Sequence, residues 1–180
     1  MTRTGIALVL VLLTGCATFR QSPTTDNTAV ADIVDAQGKA VGTANFVQLT
    51  DAVRIVVEAR GLPPGLKGVH IHETGKCDGP GFTTAGGHFN PEGKQHGALN
   101  PRGPHAGDLP NINIGADGSG RMETSSKLVS LVTGPSSLFD ADGSAIVIHA
   151  APDDFQTDPT GNSGARIACG IIRKSDGPRK

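Results

Sequence analysis

Six histidines, His70, His72, His88, His96, His105 and His149, all fall between residues 70 and 149 of the 180-residue chain. Imidazole is the commonest metal-ligating side chain, so clustering of this kind points to a metal centre. His70 and His72 flank Ile71 in an apolar string at 69–72. Side chains at i and i+2 of a strand share a face, which lets both imidazoles reach one ion. His149 closes a second apolar string, 145–148, so two strands can present three imidazoles from a rigid scaffold. His88, His96 and His105 are spaced eight and nine residues apart through glycine-rich sequence, and Asp108 follows them. That segment lacks a strand pattern and needs an ion to order it. Imidazole with carboxylate suits zinc; imidazole alone suits copper.

Several other chemistries are excluded by what the chain lacks. There is no Gly-x-Ser-x-Gly nucleophile elbow and no His-Glu-x-x-His string of the zinc hydrolases. A formal net charge of -1 gives no support to a nucleic-acid partner. The histidine set is left with redox chemistry or metal storage.

The elements that must hold these residues read as strands. Alternating or β-branched apolar strings occur at 29–34, 41–49, 53–59, 69–72, 111–114, 128–132, 145–149 and 167–172, which makes about eight strands. With no Trp or Tyr and six Phe, the core must rest on Val, Ile, Leu and Ala. Turn signals rich in Gly, Pro and Asp stand at 35–38, 62–65, 117–120 and 140–143. Many short strands with such turns predict an all-β domain, an antiparallel sandwich or a Greek-key barrel. Two stretches, 73–110 and 150–165, are too long for ordinary turns and hold or border most of the histidines. Loops of that length in a compact domain are usually functional.

The first residues carry Arg3, an apolar run at 6–13 and the string Leu13-Thr14-Gly15-Cys16. That is the layout of a secretory signal, too short to span a bilayer. Its ending resembles the bacterial lipobox, which implies a signal peptide at 1–15 and a lipid on Cys16. Residues 16–28 are expected to form a polar tether, 29–175 the domain and 176–180 a disordered tail. Lipidation of Cys16 leaves Cys77 and Cys169, the even number that an oxidising compartment favours, and the two are expected to pair. In the chain-entropy account a bridge closing so long a loop stabilises by roughly 4 kcal/mol.

Four longer motifs resemble the Cu/Zn superoxide dismutase family. Gly68-Val69-His70-Ile71-His72-Glu73 is similar to the first copper-binding strand, and Thr84-Ala85-Gly86-Gly87-His88-Phe89-Asn90-Pro91 to the loop of the bridging histidine. His96-Gly97 with His105-Ala106-Gly107-Asp108-Leu109 resembles the zinc loop, and the string from Gly161 to Gly170 the C-terminal signature. The likeness covers about residues 29–173. It implies an eight-stranded antiparallel Greek-key β-barrel of immunoglobulin-like sandwich architecture with two long functional loops. It also implies copper on His70, His72, His88 and His149, and zinc on His88, His96, His105 and Asp108, with His88 bridging the two. Asp153 matches the carboxylate that orients His70 and His96, Arg166 the arginine beside copper, and Cys77 with Cys169 the cysteine pair.

The implied reaction is disproportionation of superoxide to oxygen and hydrogen peroxide, with Arg166 holding the anion and His88 handling a proton. An exported enzyme of this kind, lipid-anchored in the cell envelope, would protect it from superoxide. The anchor would lie on the periplasmic side of the outer membrane in a Gram-negative host, with membrane contact only through the lipid. Oligomeric state is left open between monomer and homodimer. One departure concerns 154–161, which is shorter than the corresponding loop of the eukaryotic enzymes and has no lysine. Lys76 or Lys94 would have to supply any steering of superoxide. The alternatives are a dismutase-like protein that only buffers or senses copper, and a structural β-domain whose metal merely folds the loops.

Overall fold

The structure, a computed structural model, describes residues 27–175 and Met1. The expected signal peptide, lipidated Cys16, nearly all of the tether and the tail beyond residue 175 lie outside the described residues.

Among the described residues, ten antiparallel strands form one sheet. They are β1 (Thr28–Asp35), β2 (Ala40–Gln48), β3 (Val53–Ala59), β4 (Gly65–Lys67) and β5 (Val69–His72), followed by β6 (Ile112–Ile114), β7 (Gly120–Ser126), β8 (Ala145–His149), β9 (Arg166–Ile171) and β10 (Arg173–Lys174). Their order is β4-β6-β7-β3-β2-β1-β9-β8-β5, with β10 beside the start of β1. The neighbours β3–β7, β1–β9 and β4–β6 are not consecutive in sequence, and they mark the Greek-key crossings. Only Gly68 separates β4 and β5, the two ends of that path, so the chain itself draws the sheet's edges together into a nearly closed barrel.

Strand formation follows the alternation of the sequence. In β3, Val53, Ile55, Val57 and Ala59 are buried, whereas Arg54 and Glu58 are exposed. Ala29, Ala31 and Ile33 of β1 face the same core. The strands β5 and β8 are buried along their whole length, on both faces. Val69, Ile71, Ile146 and Ile148 join the barrel core. On the other face Ala145 and Val147 pack with Phe82, Ala85 and Cys169 into a smaller cluster beneath the long loops. Cys77 and Cys169 are joined by a disulfide with Cα atoms 5.7 Å apart and a sequence separation of 92. It pins the loop after β5 to β9.

Four details differ from the sequence-based expectation. The chain enters β1 at Thr28, inside the stretch expected to be tether. Leu128–Val132 is not a strand: its backbone makes one isolated bridge, Ser130 with Ser137. Its apolar alternation is real, since Val129 and Leu131 are buried, but it plugs the barrel rather than extending the sheet. The strand is instead β7, whose sequence GRMETSS buries only Met122. β7 is held by pairing with β3 along its full length, and its exposed Glu123 accepts from Arg54 at 2.7 Å. Finally, β4 and β10 are too short and polar to show a period.

Candidate metal centre

The centre is built on the outer face of β5 and β8. One edge of β5 pairs with β8; the other is covered by the loop that follows it. Ile71 N–H donates to Gly107 O at 2.9 Å, Phe89 N–H to Ile71 O at 2.8 Å and Glu73 N–H to Gly87 O at 3.0 Å. This added backbone layer brings His88 opposite His72 and Asp108 opposite His70. Gly107 must lack a side chain there, because a Cβ would lie 2.2 Å from Ile71 O. Loop histidines with no strand pattern in sequence thus acquire strand-like precision.

His70, His72, His88 and His149 place one ring nitrogen each within 4.8 Å of the others. Every one of these rings is buried, and each uses its remaining nitrogen for support. His70 Nε2 donates to Asp153 Oδ2 at 2.7 Å. His72 Nδ1 donates to Gly86 O at 3.0 Å, and His149 Nδ1 to Gly164 O at 3.1 Å. His88 Nδ1 is 2.9 Å from Asp108 Oδ1. The four inward nitrogens, His70 Nδ1 and Nε2 of His72, His88 and His149, have no hydrogen-bond partner. Buried polar atoms are nearly always paired, so four orphans facing one point indicate a ligand. An all-imidazole set suits copper.

Burial keeps these rings neutral, as metal ligands must be. Desolvation, followed by the neighbouring histidines, lowers His72 to about 2. His149 is lowered to about 3 and His88 to about 4, again chiefly by desolvation. His70 is lowered too, against the pull of Asp153.

The second set surrounds Asp108. Its Oδ1 stands 2.9 Å from His88 Nδ1, 3.0 Å from His96 Nδ1 and 3.4 Å from His105 Nδ1. His105 Nδ1 and His88 Nδ1 are 3.5 Å apart. Arms of zinc length in a tetrahedron would separate neighbouring donors by about 3.3 Å. His70, His88, His96 and Asp108 also fall within a common 4.8 Å. His70 has only Nδ1 free, however, and that atom is one of the four orphans of the first set. His105 therefore completes the group around Asp108.

Carboxylates dominate this second set. Burial would lower His96, but hydrogen bonds to Asp108 and Asp153 outweigh it and raise the ring to about 9. Asp108 would be raised by burial, yet bonds from His105, His88 and His96 hold it far below the usual carboxylate range. Its Oδ2 is fixed by the N–H groups of Gly97 and His105 at 2.8 and 2.9 Å. Asp153 connects the two sets, accepting from His70 Nε2 and from His96 Nε2 at 3.0 Å.

Arg166 pairs with His149 across β8 and β9. Its guanidinium donates to Phe82 O at 2.7 Å and Gly86 O at 2.6 Å, and burial lowers its pKa. Gly86 O thus holds both Arg166 and His72, locking the cation beside the first set. The sequence reading missed this carbonyl, as it missed Gly164 O, because backbone acceptors leave no residue-type signal. It also missed Asn111, whose side chain clasps the Asp153 backbone in both directions, at 2.8 and 2.9 Å.

A Greek-key barrel with two adjoining histidine sets on its outer face defines a class of bimetallic proteins. Residues 40–172 match the family described as copper/zinc superoxide dismutase (SODC), and the chain belongs to that family. It is 50% identical over 145 residues to "Superoxide dismutase [Cu-Zn] 1" of Aquifex aeolicus, covering 79% of this chain and 86% of the relative. Identity to "Extracellular superoxide dismutase [Cu-Zn]" of Brugia pahangi is 39% over 164 residues, 86% of this chain and 80% of the relative. The crystal structure of a SOD-like protein from Bacillus subtilis superposes with a TM-score of 0.76 at 43% identity, covering 79% of this chain and 96% of that one. Membership makes the chain an oxidoreductase of the superoxide dismutase class, with copper and zinc as its cofactors.

Proposed function

We propose that the chain disproportionates superoxide at a copper held by His70, His72, His88 and His149, with zinc held by His88, His96, His105 and Asp108. His88 would serve both metals, since its Nε2 belongs to the first set and its Nδ1 to the second. The observation that carries this reading is the group of four unpartnered buried nitrogens beside Arg166. Copper, when bound, supplies the one-electron chemistry that oxidises one superoxide to oxygen and reduces a second to peroxide.

The chain's own residues bind, orient and supply protons. Arg166 holds the anion by charge-assisted hydrogen bonds, with its guanidinium oriented by the two backbone carbonyls. When Nε2 is free of copper, His88 would hold or pass a proton at that atom, which points inward while Nδ1 is fixed beside Asp108. Asp153 fixes the tautomers of His70 and His96 by accepting both Nε2 protons. Two protons and two superoxide anions balance one oxygen and one hydrogen peroxide.

The proposed setting is the cell envelope, reached by export and held by the lipid on Cys16, with 28–175 as the enzymatic domain. The Cys77–Cys169 bridge supports an oxidising compartment, and the extracellular name of one relative agrees with export. A copper-buffering protein would use the same four nitrogens but has no need of Arg166. Copper and zinc content, measured with superoxide turnover before and after chelation, separates the two. Copper-dependent turnover restored on reloading is expected; tight copper binding without turnover would leave the buffer.

A further inference from the structure

Asp158 belongs to neither ligand set and sits in the connection between β8 and β9. Its Oδ1 accepts the His96 N–H at 2.6 Å and stands 3.9 Å from His105 Nε2. One carboxylate oxygen therefore addresses two of the histidines around Asp108, one through its backbone and one through its ring. His96 already gives its outer nitrogen to Asp153. The outer nitrogen of His105 faces Asp158 instead, within ion-pair reach.

Local structure presents Asp158 in this position. Asp154 accepts from Gln156 N–H at 2.9 Å, Thr157 N–H at 2.8 Å, Thr157 Oγ1 at 2.6 Å and Asn162 Nδ2 at 2.9 Å. That ring of bonds rigidifies the turn leading into Asp158. Phe155 O then accepts the Leu99 N–H at 2.9 Å, tying the turn to the 73–111 loop. At Gly97 the two backbones touch: its φ is 100°, and a Cβ would lie 2.1 Å from Phe155 O.

We propose that Asp158 is a positioning residue for the zinc side of the centre, fixing the His96 backbone through its N–H and placing a carboxylate charge 3.9 Å from His105 Nε2, which favours the ring orientation with Nδ1 inward. A carboxylate behind a ligating imidazole fixes its tautomer and raises its basicity, and losing such a partner typically costs about 10- to 100-fold in metal affinity. This inference rests on the zinc reading above. It assigns the β8–β9 connection a role on zinc in addition to whatever it does for the substrate.

The test is zinc and copper affinity, each measured by competition with a chromophoric chelator on the disulfide-bonded protein, with circular dichroism to check the fold. Asp158→Ala is expected to weaken zinc about 10- to 100-fold while copper affinity stays within about twofold. Asp158→Asn keeps an acceptor for the His96 N–H and loses the charge facing His105, so its loss should be smaller. Loosening of the whole loop would weaken copper equally, because Asp153 in the same connection bonds His70; parallel losses of both metals would overturn the proposal. Unchanged zinc affinity in both variants would overturn it as well, leaving the zinc reading intact. A wild-type protein that takes up no zinc would sink both readings.

Discussion

The two halves of the centre solve the same problem by different physics. On the copper side, three of four histidines stand on strands or at a strand end, His70 and His72 on β5 and His149 on β8. Burial holds those rings neutral, and their free nitrogens converge without partners. On the zinc side, all four groups come from one loop and converge on a carboxylate. One half is organised by the sheet, the other by charge. The strand-borne half is preorganised for a metal, whereas the loop-borne half is held in its metal-free form by protons that zinc, under the proposed assignment, would have to displace.

His88 is the point where the comparison can be broken most severely, since it belongs to both halves. His88→Ala should reduce both copper and zinc occupancy and lower turnover by more than about 100-fold, beyond the 10- to 100-fold typical of outer partners. Metal analysis showing full occupancy of either site would refute its double membership. Asp153→Ala comes next, because its two oxygens orient His70 and His96. Affinity for each metal should fall about 10- to 100-fold, and a loss confined to one metal would show that the halves are less coupled than the geometry implies.

Arg166→Ala is expected to spare both metals and to act on substrate alone. A charge-assisted hydrogen bond contributes about 1.5–3 kcal/mol, so kcat/KM should drop about 10- to 100-fold with metal content unchanged. Unaltered kinetics at low salt would remove its assigned role.

The smallest effect, and the one that separates the halves most cleanly, is the pH dependence of metal-free stability. His72, His88 and His149 have folded pKa values lowered from 6.5 to about 2, 4 and 3. The unfolded chain binds their protons first, so stability declines as pH falls below 6.5. His96 is raised from 6.5 to about 9, so its contribution is complete below 6.5 and is lost as pH rises through about 9. The melting temperature of the metal-free protein should therefore peak near pH 6.5 and fall more steeply on the acid side, where several histidines act together. A melting temperature that climbs steadily from pH 6.5 to 9 would contradict the proton held by His96.

Much of this was legible before any coordinates. Alternating or β-branched apolar strings mark β1, β2, β3, β5, β6, β8 and β9 because each buries one face or both in an apolar core. The same rule failed at β7, where pairing with β3 replaces apolar burial as the stabilising term, and at Leu128–Val132, where alternating burial occurs without a ladder.

The sequence by itself determined the chemical inventory: six imidazoles, Asp108, Asp153, Arg166 and a cysteine pair, in motifs specific enough to indicate the family. Residue type and local spacing suffice for that, since they set which groups can ligate and which share a strand face. Only the tertiary structure decided which nitrogen of each ring is free, that Gly86 O is shared by His72 and Arg166, and that Asp158 reaches across to His96 and His105. Those facts depend on backbone acceptors and on contacts between segments some 50 or more residues apart. No local pattern encodes them, because the partner arrives only when the barrel brings the two long loops together.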